Sequence, residues 1–556
     1  MLKRTSVDRG TFEFPSLPPA TALYFAVLEQ SGVMDSFRRC LRDAEAEKRA
    51  RGEHVPIRNL TVPDAFKAIT GSMFTNGQRY PLYEIQNFYS STPTECVFGR
   101  SVSRKALSDT SLAGRMEDMM SLDVIRLHRD IAADLRGFFG LVSEDRFLDQ
   151  TDIDFFGVDR KDSTGTAAHA KLSSKCKSGR RDCLHKDISV MCDGYGISVY
   201  AQPFDGATSD TEMDIRAVES MIGSFNGSTV VSGDCKLCDF RILKRLDENG
   251  TCFVTKVPVK FSGNLRELVV ESARSGLMDA SPEYPGRLVY ETHSAVSDSR
   301  GNVYGDLRLI AYVLPGGKKR AIKYLREQGM RNVSKELKKI WHRRFGSEEE
   351  ARSAVERALA EADAPIYRSD TEYIIDPRRR GNGTGPVWMA RTRAVLIDED
   401  LIEEAAERYA IQVLITNARL SDTDADMPLD GRTSDSIINR YLAQAVIEKR
   451  FRMQKTCHGV GHIFIHTPIR QDAMIQMDCM ASSVHSAMDA KMKEGHVKGT
   501  RRITMEMLSD RLVGCRLAFN ESEGRIFFSG DERSKTLFFR AVDLLEVDLR
   551  YVFPYA

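Results

Sequence analysis

The 556-residue chain carries no surplus of either charge: 80 lysines and arginines stand against 79 aspartates and glutamates. That balance excludes a protein whose entire surface is a basic footprint for nucleic acid or an anionic membrane; any such surface must be local. Long apolar runs are also missing. The opening stretch MLKRTSVDRGTFEFPSLPPA has no hydrophobic segment of signal-peptide type, so neither export nor a membrane span is expected. The eleven cysteines follow no framework spacing. This argues against a disulfide-stapled scaffold and for reduced thiols in the cytoplasm. No internal repeat or low-complexity tract is visible. What is present is 42% hydrophobic residues, enough for real cores and for several structural units at this length.

Periodicity divides the chain. Residues 1–140 read as a helical N-terminal region, with helix-spaced apolar residues in ALYFAVLEQSG and in MEDMMSLDVIRLHRDIAADLRGFFG. From 141 to 260 the pattern changes. RFLDQTDIDFFG is a strand, DISVMCDGYGISVYAQPF a hairpin turning at Asp193–Gly196, TEMDIRAVESMIGSF a helix, and STVVSGD a short buried strand. A helix and a strand, CFVTKVPVKF, follow. A hairpin extended by helical crossovers predicts an α/β fold with a mixed sheet. Residues 261–405 read as an insertion domain of strands and charged helices. Residues 406–500 return to the α/β pattern with the strand IQVLITN, and 501–556 form a C-terminal segment.

The segment Tyr441–Lys455, YLAQAVIEKRFRMQK, has no glycine or proline and reads as one uninterrupted helix. At about 100° per residue, Tyr441, Gln444, Glu448 and Lys455 fall within roughly a 60° arc, away from the stripe formed by Leu442, Val446 and Met453. Upstream, Asp149 lies on the first strand of the α/β region, and Asp234 lies where the strand STVVSG gives way to a helix. Strand C-termini are where open α/β sheets place their sites. Three carboxylates from two strands and a helix suit hard, oxygen-seeking cations such as Mg²⁺. Two such ions about 4 Å apart can activate a nucleophile and stabilise the leaving oxygen of a phosphoryl displacement.

These residues, in this order, resemble insertion-sequence transposases of the DDE class. Within that class the chain is most similar to the group with a β-rich insertion domain and a Y-R-E-K signature. That signature reads Tyr441, Gln444, Glu448, Lys455 here, with its spacing kept and glutamine in place of arginine. DQTDIDFFG resembles the family's first-aspartate strand, QPFDGATSD its polar loop (with Ala207 where asparagine is usual), and TVVSGDCKLCDFRILKRLDENGTCFVTKVP its second-aspartate segment. The resemblance implies a ribonuclease-H-like catalytic core with a β-rich insertion domain and a helical DNA-binding N-terminal region. It implies Asp149, Asp234 and Glu448 as catalytic ligands of two Mg²⁺ (or Mn²⁺) ions, with Lys455 and Tyr441 on DNA phosphates. The implied partners are the element's terminal inverted repeats and target DNA, both double-stranded, bound by a homodimer in a nucleoid-associated cytoplasmic setting. Gln444 brings no charge; Arg452, on the same helical face, is expected to supply the missing cation.

Rival readings stand beside these. Asp152 and Asp154 compete with Asp149, because consecutive strand residues cannot share a face. Asp234 can instead cap a turn. The CxxC formed by Cys235 and Cys238 reads as a pair of incidental thiols. His458, His462 and His466 read as loop or strand residues beside DNA. The basic loop 171–186, with Arg180, Arg181 and Lys186, is either a solvated loop or a phosphate contact. KKRAIKYLR and KKIWHRRF are further basic stretches, Trp341 is expected in a core, and Arg378–Arg380 can clamp a backbone.

Overall fold

A computed structural model describes residues 16–75, 80–90, 92, 94–156, 167–172, 182–298, 300–361, 366–375, 387–418, 433–459, 462–463, 465–497, 499, 502–520 and 525–553. The chain divides into two compact units: Met1–Phe253 with Arg440–Ala556, and Val254–Asn439. The insertion domain expected over 261–405 lies inside the second.

The first unit begins with helices α1 (Pro19–Gln30), α2 (Val33–Ala50), α3 (Val62–Gly71), α4 (Asp109–Met119) and α5 (Val124–Phe139). Helix α3 starts on a capping box: Thr61 accepts the Asp64 N–H and Asp64 accepts the Thr61 N–H. Helix α5 stops at Gly140, whose φ of 69° is the left-handed conformation that glycine adopts without steric cost. Strands β1 (Asp145–Phe155), β2 (Leu184–Asp193) and β3 (Ser198–Asp205) follow. The turn between β2 and β3 is built as the sequence predicts: the Asp193 carboxylate accepts the N–H groups of Tyr195 and Ile197, and Gly196 takes φ 84°. Next come α6 (Asp210–Met221), β4 (Val230–Gly233), α7 (Phe240–Glu248) and β5 (Cys252–Lys256). Strand β2 is antiparallel to both β1 and β3, whereas β4 joins the other edge of β1 in parallel. At the start of β5 the Cys252 N–H donates to Thr229 O at 3.2 Å. The observed architecture is mixed α/β.

In the second unit, α8 (Leu265–Ser272) precedes β6 (Leu288–Ser297) and β7 (Val303–Val313). A long helical stretch carries α9 (Gly317–Tyr324) and α10 (Met330–Ile340) and is followed by α11 (Glu348–Glu361). The hairpin β8 (Tyr367–Ile375) and β9 (Trp388–Ile397), then α12 (Glu399–Ala410) and β10 (Gln412–Thr416), complete it. Strand β10 pairs antiparallel with β7 and with Val254–Lys256. Helices α9 to α12 pack on the β8–β9 hairpin through Leu325, Val333, Leu337, Ile340, Tyr367 and Ile402. Trp341, expected in a core, is only partly buried at the end of α10.

The chain then runs through α13 (Ser434–Leu442), α14 (Ala445–Thr456) and α15 (Pro468–Glu494). After α16 (Met505–Arg511), strands β11 (Arg516–Asn520) and β12 (Arg525–Ser529) form a small sheet with Ser16–Leu17, and α17 (Glu532–Leu545) closes the described fold. No helix among the described residues is long and apolar enough to cross a membrane.

Helix α15 is buried on nearly every side, so its polar side chains must find partners inside the protein. Gln476 donates to Ala201 O at 3.0 Å and turns its own carbonyl toward His128, 2.7 Å away. His128 therefore donates from Nε2, and its Nδ1 lies 3.1 Å from the Ser198 hydroxyl. Burial pushes this imidazole from 6.5 down to about 4, against the opposing pull of the Gln476 hydrogen bond. As pH falls, the unfolded chain therefore takes up the proton first. The stabilisation is complete above pH 6.5 and is lost as pH falls toward 4. His128→Asn should remove that component. In urea titrations the stability gap between wild type and variant should shrink by about 3 kcal/mol from pH 7 to pH 4. A gap independent of pH would place the titration elsewhere.

Candidate active site

The register between β1 and β4 puts two of the expected carboxylates side by side. Leu148 pairs with Gly233 at the last rung of the parallel ladder. Asp149 and Asp234 are the next residue on each strand. Parallel partners share a face, so both carboxylates leave the sheet at the same place, the C-terminal end of β4. Gly233 permits the close approach: a Cβ there would sit 3.0 Å from the Leu237 side chain and 3.3 Å from Leu148 O. Asp149 accepts the Gln150 N–H at 2.8 Å. Asp234 accepts the Lys236 N–H at 2.7 Å, so it also shapes the turn that leaves the strand.

A third acid, missed from the sequence, belongs to this group. Asp214 on α6 is 1% exposed and accepts a hydrogen bond from the Gln150 amide. Burial raises its pKa well above 3.8, and the charges of Asp234 and then Asp149 raise it further. The raised value reports burial first, with the repulsion of the neighbouring carboxylates second. Its signal was present in the sequence: Asp214 shares the buried face of its helix with Met213, Ala217, Val218 and Met221, where an acid has no place without a purpose.

The Tyr441–Lys455 segment is not one uninterrupted helix. It breaks at Ala443–Gln444, where Gln444, Val446 and Ile447 bond back to Tyr441, Ala443 and Gln444. These are three-residue steps instead of four, so the ladder tightens without glycine or proline. Its two ends are fixed to β1. Arg440 Nη1 lies 2.6 Å from Asp145 Oδ1, and Lys455 Nζ lies 3.1 Å from Asp152 Oδ1. From 440 to 455 a helix rises about 22 Å, and from 145 to 152 a strand rises about 23 Å. Asp145 and Asp152, an odd number of residues apart, point to opposite faces of β1, so the two ends of the segment are held on different faces of the strand. Glu448 and Lys455 are seven residues apart, on one line of α14; Lys455 meets Asp152, on the face of β1 opposite Asp149, and Glu448 is exposed.

Among the described residues, no three His, Cys, Asp or Glu side chains are close enough to hold a metal ion. The structure therefore brings Asp149 and Asp234 to neighbouring strand positions and does not bring Glu448 to them. The oxygen donors and the repulsion felt by Asp214 nonetheless fit a hard divalent cation, which would relieve that repulsion.

The remaining expected residues fall in several places. The unbroken ladder from Arg146 to Phe155 puts Asp152 and Asp154 on the opposite face to Asp149. Asp152, 2% exposed, holds Lys455. Tyr441 and Gln444 are partly buried and Arg452 is exposed. Arg180, Arg181 and Arg378–Arg380 lie outside the described residues. Lys186 is no phosphate contact: it is fully buried and paired with Asp472 at 2.7 Å. His458 does lie in the bend after α14 but does not face solvent: it is 1% exposed, with Nδ1 2.8 Å from Asp478 and Nε2 3.1 Å from His485. Cys235 is partly buried and Cys238 buried.

No protein family matches the chain, and no curated protein does. Several chains of solved structures resemble it. One of these, resembling it only weakly, is described as the piggyBac transposase synaptic complex with hairpin DNA, and the likeness is 11% identity and a TM-score of 0.34 over 90% of this chain and 82% of that one.

Proposed function

We propose that this chain is a DNA transposase that cuts phosphodiester bonds at the ends of its own element and joins the freed 3′-hydroxyls to target DNA. The observation that carries the reading is the adjacency of Asp149 and Asp234 at the end of a parallel strand pair. The motif order resembling DDE transposases supports it. So does a strand arrangement of ribonuclease-H type: two antiparallel strands on one side of β1 and a parallel strand on the other.

In this reading Asp149, Asp234 and Glu448 hold two Mg²⁺ or Mn²⁺ ions, which supply Lewis acidity to the phosphoryl oxygens and lower the pKa of the attacking hydroxyl. The chain's own residues position the DNA. Lys455 offers a phosphate its ammonium in exchange for Asp152, Tyr441 a hydroxyl, and Arg452 the guanidinium that Gln444 lacks. Both cutting and joining are phosphoryl transfers, so one site serves both.

The test is an incubation of the full chain with a linear duplex carrying the coding sequence and its native flanks, in Mg²⁺ or Mn²⁺, with breaks mapped by sequencing. Paired breaks at the two element ends, followed by insertion into a supercoiled acceptor plasmid, are expected. Binding without breakage would make the protein an end-binding repressor, and breakage without joining a nuclease.

A further inference from the structure

The second unit contains a cationic surface that the active site does not use. Helices α9 and α10 are continuous through Leu325–Gly329, a π turn flanked by right-handed helical residues on both sides. A π turn accommodates one extra residue and so rotates everything after it by about 100° relative to an unbroken α-helix. With that rotation included, Lys319, Lys323, Arg331, Lys335 and Lys338 fall within an arc of about 60°, over a length of about 28 Å. Leu325, Val333, Leu337 and Ile340, all buried, fall on the opposite side. Without the π turn, the cations of α9 and α10 would face about 100° apart, and so would the two halves of the apolar stripe. The turn keeps core and stripe in register together.

The turn is set by a residue far away in sequence. The Tyr367 hydroxyl on β8 donates to Leu325 O at 2.8 Å, and it occupies the place of a Cβ on Gly329, which would lie 1.9 Å from that oxygen. Glycine at 329 is what lets the tyrosine dock.

Apart from Arg320, which donates to Pro315 O at 3.0 Å, the cations of this helix form two populations. Lys318 pairs with Glu403 and Glu407, Arg326 with Glu399, and Lys339 with Glu336. The five stripe cations are exposed and make no ion pair with any described residue. In a chain with a net charge of only +1, a row of four ammonium groups and one guanidinium on a helix is a local field, not an overall excess.

The geometry points to a duplex DNA backbone lying along this stripe. The proposal rests on the reading of the chain as a DNA-acting enzyme, and it assigns part of DNA affinity to a surface outside the catalytic unit. A length of about 28 Å matches about eight base pairs at 3.4 Å each. Lysine predominates, giving point-charge contacts with phosphates and no base readout. The surface would hold DNA independently of sequence.

Fluorescence anisotropy of a labelled 24-base-pair duplex of arbitrary sequence, from 50 to 300 mM KCl, tests this with the full chain. K319Q/K323Q/R331Q/K335Q/K338Q should lower affinity at least ten-fold at 100 mM KCl. It should also reduce the slope of log K against log salt by about 3–4, the loss of roughly four phosphate contacts. K318Q/R326Q/K339Q, which removes the paired cations of the same helix, should change affinity less than two-fold. Should the five-fold variant fail to fold by circular dichroism, K335E/K338E provides the same readout with an expected slope loss of about 2. A wild-type slope in the stripe variants, an equal loss in the control, or polyglutamate outcompeting duplex at equal charge would overturn the proposal. The two readings fail separately. A chain that cuts no DNA but shows the stripe-dependent slope loses the transposase assignment alone, and one that cuts with an unaltered slope loses the stripe alone.

Discussion

Lys186→Met should destabilise the first unit by about 3–5 kcal/mol, the cost of breaking a buried ion pair from one side. Lys186 is fully buried on β2, with Nζ 2.7 Å from Asp472 Oδ1 and 3.1 Å from Pro468 O. Methionine keeps the length of the side chain and much of its apolar contact, including that with Phe155, whose ring centre lies 5.8 Å from Nζ. Asp472, 3% exposed, then keeps the Ala168 N–H at 3.0 Å but has lost the ammonium that faced its charge. K186M/D472L, which removes both charges, should recover most of the loss, since a buried pair contributes little net stability over apolar groups of like size. Urea unfolding midpoints read both variants. A loss below 1 kcal/mol for K186M would mean that water reaches the pair. The pair ties the first turn of α15 to the sheet that carries Asp149, so the cost is also a measure of how firmly the catalytic strand is held.

The sequence disclosed this region unevenly, for physical reasons. The hairpin turn was legible because Asp193 and Gly196 act on their own neighbours, as Thr61 and Asp64 do at the start of α3. Asp234 could be placed at the end of its strand because that is a local pattern, whereas Asp149 lies within β1 and its place next to Asp234 comes from the ladder between β1 and β4. The role of Lys186 was not, because its partner lies 286 positions away. In a basic loop sequence it looked like one more solvated cation. The same holds for His458, whose partners sit on α15. The break at Ala443–Gln444 and the π turn at Leu325–Gly329 escaped periodicity altogether. The first has no breaker residue, its ends being tied to β1 by Arg440 and Lys455, and in the second the glycine at 329 matters through a distant partner, the Tyr367 hydroxyl that docks there. Intrinsic helix preference is a fraction of a kcal/mol per residue, and such anchors override it. Asp214 is the instructive miss, since the pattern showed it on an apolar face and only an argument about burial cost was needed.

Asp234→Asn should make the protein more stable and inactive at once. The carboxylates of Asp149, Asp214 and Asp234 repel one another, and Asp214 shows it by holding its proton well above the usual carboxylate range, through burial first and the Asp234 charge next. A carboxyl with a raised folded pKa contributes most at low pH, and that contribution is lost as pH rises through the folded value. At neutral pH the cluster is therefore a net cost. Asparagine keeps the oxygen that accepts the Lys236 N–H, so the turn survives while one charge disappears. The gain should be about 1 kcal/mol, the size of a partly screened charge pair, and the Asp214 pKa should fall in a carboxyl-resolved NMR titration. Cleavage should fall by at least about 10²–10³-fold, as when one element of a preorganised electrostatic site is removed. Millimolar Mg²⁺ should raise the melting temperature of wild type by stabilising the cluster it binds, and should leave Asp234→Asn nearly unmoved. Stability gained with activity lost is the signature of a residue kept for chemistry against the interest of the fold. A variant that loses stability and still cuts would show instead that Asp234 does no more than shape the turn after β4.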